Sequence, residues 1–396
     1  MQMFFIFFAH LFIHKGVLNT YFFCLSKKSN FLIISHSTRT MTYFAIAKRS
    51  LQFGYSKKMY YLCTRFNKLN SKTANAMTKE SQYIASPERY KNSSSLYNRC
   101  GNSGVLLPKV SLGFWHNFGQ EGPFERSRAI TRFAFDHGIT HFDFANNYGI
   151  PAGSAEETFG RLMDEDFRPY RDELFISTKA GYLMWDGPYG EWGSRKYLMS
   201  SLDQSLKRMH LDYVDLFYSH RFDPNTPIEE TLQALVDIVR QGKALYVGIS
   251  NWPLEPLRKA HAYLRERDVP LLIYQGRLNM LNREPIEQGI LDFCHEQGVG
   301  FIAFSPLAQG LLTDRYLDGI PADSRMAKEH FLKSERRTPQ LLSYLHELEA
   351  KGKANGRTIA QEALNWVLEQ KGVASVLVGA SSVEQLAQNI AIIESK

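Results

Sequence analysis

From about residue 96 the chain alternates short β-branched and aromatic runs with longer stretches in which apolar positions recur at helical spacing. The apolar runs are VSLGFW (110–115), THFDFA (140–145), LFISTKA (174–180), YVDLFYSH (213–220), ALYVGISN (244–251), PLLIYQG (270–276), VGFIAFSP (299–306) and SVLVGAS (375–381). Their length and composition predict strands. Between them lie RSRAITRFAFDHG, RKYLMSSLDQSLKRM, IEETLQALVDIVRQG and EALNWVLEQKG, whose apolar residues return every three or four positions and predict amphipathic helices. Gly138, Gly242, Gly298 and Gly372 stand where left-handed caps would end such helices. Alternation of this kind implies parallel strands joined by crossover helices. Eight units in one body predict an α/β fold, a (β/α)8 TIM barrel. A doubly wound sheet is the alternative, but no GxGxxG follows the first strand. LYNRCGNSGVLLP (96–108) predicts an N-terminal β-hairpin with its turn at Asn102-Ser103-Gly104, placed to plug the barrel floor.

A barrel collects its chemistry at the carboxyl ends of the strands. There the sequence has Asp143 followed by Asn146, Asn147 and Tyr148, then Lys179, His220, Ser250-Asn251, Gln275, Ser305-Pro306-Leu307 and Gly379-Ala380-Ser381. Asp143, Tyr148, Lys179 and His220 at one mouth could carry out acid–base work on a carbonyl. A phenol ordinarily titrates near 10. A lysine ammonium beside Tyr148 is expected to lower that value, Asp143 to hold the ammonium, and His220 to orient a carbonyl oxygen. None of these groups carries hydride, so a nicotinamide cofactor is required. Singly, each residue has a plainer role as a cap, a turn residue or half of a structural ion pair.

The first 76 residues follow a different pattern. They hold 11 of the 27 Phe, several in MQMFFIFFAHLFI, and residues 1–79 contain 12 Lys or Arg without a single Asp or Glu. The opening apolar run of about 13 residues falls short of the roughly 20 needed to span a bilayer. It lacks the basic start and small-residue cleavage site of a secretory signal, and the amphipathic period of a transit peptide. Residues 1–76 are therefore expected to be a disordered extension outside the domain, or upstream sequence read from an early start. Residues 77–396 are expected to form the barrel. The formal charge of +7 resides in the extension, because the remainder has 35 bases against 40 acids. A nucleic-acid partner is accordingly not expected. Cys24, Cys63, Cys100 and Cys294 show no CxxC or Cys/His clustering, which argues against a disulfide framework or a metal site and suits the cytoplasm.

The motifs HFDFANNYG, ISTKAGY, LFYSH, VGISN, AFSPLAQGLL and VLVGASSVEQLAQN, in this order, resemble the aldo-keto reductase family. Within it, SLGFWHNFG, NNYGIPAGSAEETFGRL and WDGPYGEWGSRKYL are similar to the branch of bacterial L-glyceraldehyde 3-phosphate reductases, next to the β subunits of voltage-gated potassium channels. The resemblance implies Tyr148 as general acid, Lys179 and Asp143 as its tuning pair, and His220 as the carbonyl-orienting group. The channel subunits lack histidine at the position of His220, so its presence points to an enzyme. For the cofactor, the resemblance implies NADPH. Ser250, Asn251 and Gln275 would hold the nicotinamide carboxamide, and Phe304 would either stack on the ring or belong to the core. Ser305, Leu307 and Gly310 would line the pyrophosphate, and Gly379, Ser381, Gln385 and Asn389 would take the adenosine half. Trp115, Pro306, Ala308 and Gln388 are placed at the cofactor as well. Arg315 and Arg325 would favour NADPH over NADH, or else serve as exposed loop charges. Ser382 stands where close relatives carry arginine, and the chain stops at IAIIESK where relatives continue, which would loosen the rim of the site.

The loop GYLMWDGPYGEWGSRKYL (181–198) offers Tyr182, Trp185, Tyr189 and Trp192 as a pocket wall or as an oligomer contact. Arg195, Lys196 and Arg221 are candidates for a substrate phosphate. The resemblance thus implies reduction of a small aldehyde or ketone, such as L-glyceraldehyde 3-phosphate or methylglyoxal, by a homo-oligomer. The competing class is a nucleotide-sensing regulatory or potassium-channel β-like subunit with slow turnover.

Overall fold

The computed structural model describes residues 83–394 apart from 92, 323, 330 and 331, together with three strands nearer the N-terminus. Those three strands, Phe7–His14, Val17–Cys24 and Leu32–His36, pair antiparallel in sequence order. The rest of the proposed 1–76 extension lies outside the described residues.

In the body, a hairpin of β1 (Tyr97–Arg99) and β2 (Leu106–Pro108) precedes eight parallel strands: β3 (Val110–Gly113), β4 (His141–Asp143), β5 (Phe175–Ala180), β6 (Val214–Ser219), β7 (Ala244–Ser250), β8 (Leu271–Arg277), β9 (Gly300–Phe304) and β10 (Val373–Val378). They pair in sequence order and β10 closes on β3, so the sheet is a barrel. Six of the strands fall within the runs that the apolar pattern marks; β8 continues one residue past its run, to Arg277, and β10 begins two residues before its run, at Val373. Helices α1 (Phe124–Asp136), α2 (Ser154–Leu162), α3 (Arg195–Met209), α4 (Ile228–Arg240), α5 (Leu254–Arg265) and α6 (Ile290–Glu296) each return the chain to the next strand. In α4, Leu232, Leu235, Val236 and Ile238 are buried while Glu229 and Glu230 occupy the first turn, where the helix dipole favours negative charge.

After β9 the strict alternation breaks. Short 3₁₀ turns and a long helix α7 (Pro339–Ala354) come before the crossover helix α8 (Ile359–Leu368), and α9 (Val383–Glu394) follows β10. This insertion has its own small cores: Leu312, Leu345, Leu348 and Ile359 in one, and Leu311, Tyr316, Met326 and Leu332 in the other.

All four expected cap glycines have positive φ, between 70° and 94°. The hairpin plugs the floor as its position predicts: Cys100, Val105 and Leu107 pack against the inward residues Leu216, Tyr218, Ile273 and Ile302. Its turn is held against the barrel at Gly101, where an added Cβ would sit 2.1 Å from the Gly298 carbonyl oxygen. Among the described residues, no helix is long and apolar enough to cross a membrane, and no cluster of His, Cys, Asp and Glu is placed to bind a metal. Cys100 and Cys294 are buried free thiols, and burial pushes Cys100 up to about 12.

Candidate active site

β4 ends at Asp143 and β5 presents Lys179 two residues beyond Ser177, so strand pleating aims all three at the barrel axis. Lys179 is fully buried; its Nζ donates to Asp143 Oδ2 at 2.5 Å and to the Phe144 carbonyl at 2.6 Å. The carboxylate's other oxygen accepts from Ser177 Oγ at 2.6 Å and Gln275 Nε2 at 3.2 Å. Burial lowers the Lys179 pKa, and Asp143 opposes that shift.

The Tyr148 ring lies 5.0 Å from Lys179 Nζ and 5.9 Å from the His220 ring. Gly149, at φ 86°, turns the chain away directly after it; a Cβ there would meet the Ala155 backbone nitrogen at 2.6 Å. His220 follows β6, is pinned by its backbone N–H to the Ala180 carbonyl, and packs edge-on against Tyr182 at 4.7 Å. Burial, then Lys179 and Arg221, lower its pKa well below the ordinary value, so the imidazole is neutral.

Tyr148 departs from the sequence-based expectation. Its pKa is raised well above 10, first by burial and then by Asp143 and Tyr182. Desolvation penalises a phenolate, and the Lys179 charge is already committed to Asp143 and Phe144. The phenol therefore keeps its proton across the neutral range.

These groups open into a cavity of about 910 Å³ at the carboxyl ends of the strands. Trp115, Asp143, Tyr148, His220, Ser250, Asn251, Gln275, Phe304, Ser305, Pro306 and Leu307 line it. So do Gly310, Arg315, Arg325, Gly379, Ser381 and Gln385. Lys179 lies behind the wall. Three expected cofactor residues do not line it. Ala308 packs against the small cores of the insertion, and Gln388 is exposed with its carbonyl accepting from Gln361. Asn389 is buried one helical turn beyond Gln385, with no hydrogen-bond partner for its Nδ2. Ser305, Gln309 and Gly310 take positive φ in the bend after β9, turning main chain toward the cavity. Arg325 sits over Trp115 at 5.8 Å and is partly buried; burial lowers its pKa. Arg325 is therefore part of the wall, contrary to its reading as an exposed loop charge. Ser382 caps α9 by accepting from the Gln385 N–H.

The expected phosphate candidates are otherwise engaged. Arg221 lies 3.5 Å from the Trp192 ring and bonds Glu191 and the Gly181 carbonyl, while Arg195 pairs with Asp237. Arg195, Lys196 and Arg221 are absent from the cavity wall, whereas Arg126 and Lys328 belong to it. Of the aromatic loop, Tyr182 reaches the cavity and Trp185 packs on Tyr197 instead. His116, Asn117 and Gln309 also line it and escaped the sequence reading; the first two sit just past the end of β3, where a barrel places its site.

Residues 109–396 match the Aldo/keto reductase family. The chain belongs to this family. It is 57% identical over 312 residues to the L-glyceraldehyde 3-phosphate reductase of Escherichia coli (strain K12), covering 78% of this chain and 90% of that protein. It is 34% identical over 300 residues to a probable voltage-gated potassium channel subunit beta of Oryza sativa subsp. japonica, covering 74% and 90%. A solved thermostable aldo-keto reductase in complex with the inhibitor epalrestat superposes with a TM-score of 0.59 at 30% identity, over 76% of this chain and 95% of that one. The protein is thus an oxidoreductase with the family's barrel. The family's nicotinamide cofactor fits this site, because one cavity runs from Tyr148 and His220 past the bend after β9 to Gly379 and Gln385.

Buried neutral histidines make an acid-side prediction. Burial lowers His141 on β4 to about 4, and His220 lies well below 6.5. The unfolded chain takes up these protons as pH drops through about 6.5 while the folded chain does not, so stability present above that pH is lost below it. For His141 alone the loss is about 2 kcal/mol by about pH 5. Urea unfolding at about pH 7.5 and pH 5 should show a smaller drop in His141→Gln than in wild type. An equal drop would contradict the assignment.

Proposed function

We propose that the chain is an NADPH-dependent reductase of small aldehydes, acting on L-glyceraldehyde 3-phosphate and methylglyoxal, with Tyr148 as the general acid. The observation that carries this reading is the Tyr148 phenol, protonated and wedged between the Lys179–Asp143 pair and the neutral His220 at the cavity floor. When bound, reduced nicotinamide supplies the hydride that no side chain here can carry. Tyr148 delivers its proton to the carbonyl oxygen as negative charge develops there. Lys179, fixed by Asp143, keeps its Nζ 5.0 Å from the ring that gives up the proton. His220 holds the carbonyl oxygen from the side.

Ser250, Asn251 and Gln275 would position the nicotinamide amide, and Trp115, Phe304, Ser305, Pro306, Leu307 and Gly310 would follow the cofactor toward Gly379, Ser381 and Gln385. Arg126 and Lys328 supply cationic wall suited to a substrate phosphate. The identity with an enzyme whose name specifies L-glyceraldehyde 3-phosphate supports this substrate. Residues 77–396 are the catalytic body, and a cytoplasmic homo-oligomer is part of the same reading, in keeping with the free thiols at Cys100 and Cys294.

The test is NADPH oxidation by the purified protein with L-glyceraldehyde 3-phosphate, its D isomer and methylglyoxal. Preference for the L isomer supports the substrate, while no aldehyde-dependent oxidation over tight NADPH binding moves the reading to a slow nucleotide-sensing subunit. Arg325→Ala is expected to weaken NADPH binding about tenfold, the value of one charge-assisted bond, and to leave NADH binding nearly unchanged. Equal weakening of both would remove Arg325 from cofactor selection.

A further inference from the structure

Beneath the catalytic cluster, the barrel interior carries a chain of polar side chains that the reaction does not touch. Ser375 on β10, Ser111 on β3, His141 on β4 and Ser177 on β5 come from four adjacent strands and are all fully buried. Ser375 Oγ is 2.6 Å from Ser111 Oγ, which is 2.9 Å from His141 Nδ1. His141 Nε2 is 3.0 Å from Ser177 Oγ, which donates to Asp143 Oδ1 at 2.6 Å.

Counting protons fixes the direction of every bond. Ser177 Oγ donates to Asp143 Oδ1, which uses its single hydroxyl proton. Ser177 must then accept from His141 Nε2–H. A neutral imidazole has one N–H, so Nδ1 accepts from Ser111, and Ser111 in turn accepts from Ser375. Each donor points toward Asp143. The chain cannot serve as a proton wire, because beyond Ser375 stands the Lys109 carbonyl at 3.4 Å, which has no proton to exchange. Such a run of aligned bonds polarises toward its charged end and strengthens there.

We propose that Ser375, Ser111, His141 and Ser177 form a one-way hydrogen-bond chain that holds the Asp143 carboxylate aimed at Lys179, which makes His141 and Ser177 positioning residues for carbonyl reduction. This inference rests on the reading of Tyr148 and Lys179 given above. A ladder that only fixed strand register would affect stability alone. The chain acts on the Asp143–Lys179 pair and so affects turnover as well.

The test uses the full chain with Ser177→Ala, His141→Leu and His141→Gln, measuring kcat, NADPH affinity by fluorescence, and urea stability. Ser177→Ala is expected to lower kcat about tenfold, the worth of one buried bond to charge, with NADPH affinity held within about twofold. His141→Leu should behave likewise, and His141→Gln, whose amide can donate to Ser177 and accept from Ser111, should recover most of the rate. Imidazole ¹⁵N shifts of wild type, assigned by the signal missing from His141→Gln, should show the neutral Nε2–H tautomer for His141. Unchanged kcat in Ser177→Ala, a Gln variant no faster than Leu at equal stability, or an Nδ1–H tautomer would each overturn the proposal. A wild-type chain that oxidises no NADPH with aldehyde would sink the functional reading instead, and the tautomer would still judge the chain. The tautomer decides equally if Ser177→Ala and His141→Leu fail to fold.

Discussion

Replacing Tyr148 by Phe is expected to lower kcat by about 10²- to 10⁴-fold, the range that one positioned acid contributes. NADPH affinity should stay within about threefold, because the ring and its packing remain and only the hydroxyl is lost. The size of the effect follows from the setting. Burial and Asp143 raise the phenol's pKa, so it arrives at the reaction protonated. His220 is neutral and Lys179 is fully buried behind Asp143, so neither replaces Tyr148 as the acid facing the cavity. Steady-state rates with methylglyoxal and a fluorescence titration with NADPH separate the two quantities. A variant within about threefold of wild type in kcat would remove Tyr148 from its role.

The second large effect concerns stability. Lys179→Met leaves the Asp143 carboxylate in the barrel interior without its counter-ion and is expected to cost about 3–5 kcal/mol. Asp143→Asn alone leaves the ammonium with its bond to the Phe144 carbonyl and one weaker partner, and should cost a similar amount. The double variant Asp143→Asn/Lys179→Met removes both charges and should lose well under the sum of the two. Urea unfolding of the four proteins gives the coupling directly. Additive losses would mean that the pair is held by its surroundings and not by each other.

The fold was legible because its periodicities are strong. Eight apolar runs separated by helical spacing reach the barrel without any side-chain contact being known, and Gly138, Gly242, Gly298 and Gly372 marked real left-handed caps. Asp143, Tyr148, Lys179 and His220 were legible because a barrel dictates where its strand ends converge. The insertion after β9 was not, since Pro339–Ala354 is a helix that breaks the strand–helix rhythm and buries mainly Leu345 and Leu348. Competition for partners was also out of reach. Burial raises Tyr148 while Lys179 gives its charge to Asp143 and Phe144, so the expected shift is reversed, and Arg221 is spent on Trp192, Glu191 and Gly181. The interior chain did leave a trace. His141 and Asp143, like Ser177 and Lys179, stand two apart on one strand, so pleating puts each pair on the same inward face.

The central claim is tested most directly by mixing the protein, preloaded with NADPH, with L-glyceraldehyde 3-phosphate or methylglyoxal, following NADPH absorbance through a single turnover in wild type and in Tyr148→Phe. The account predicts NADPH loss matched by alcohol formed in wild type, and a step slowed at least about a hundredfold in the variant while it still binds NADPH. Tight NADPH binding with the same negligible oxidation in both proteins would contradict it.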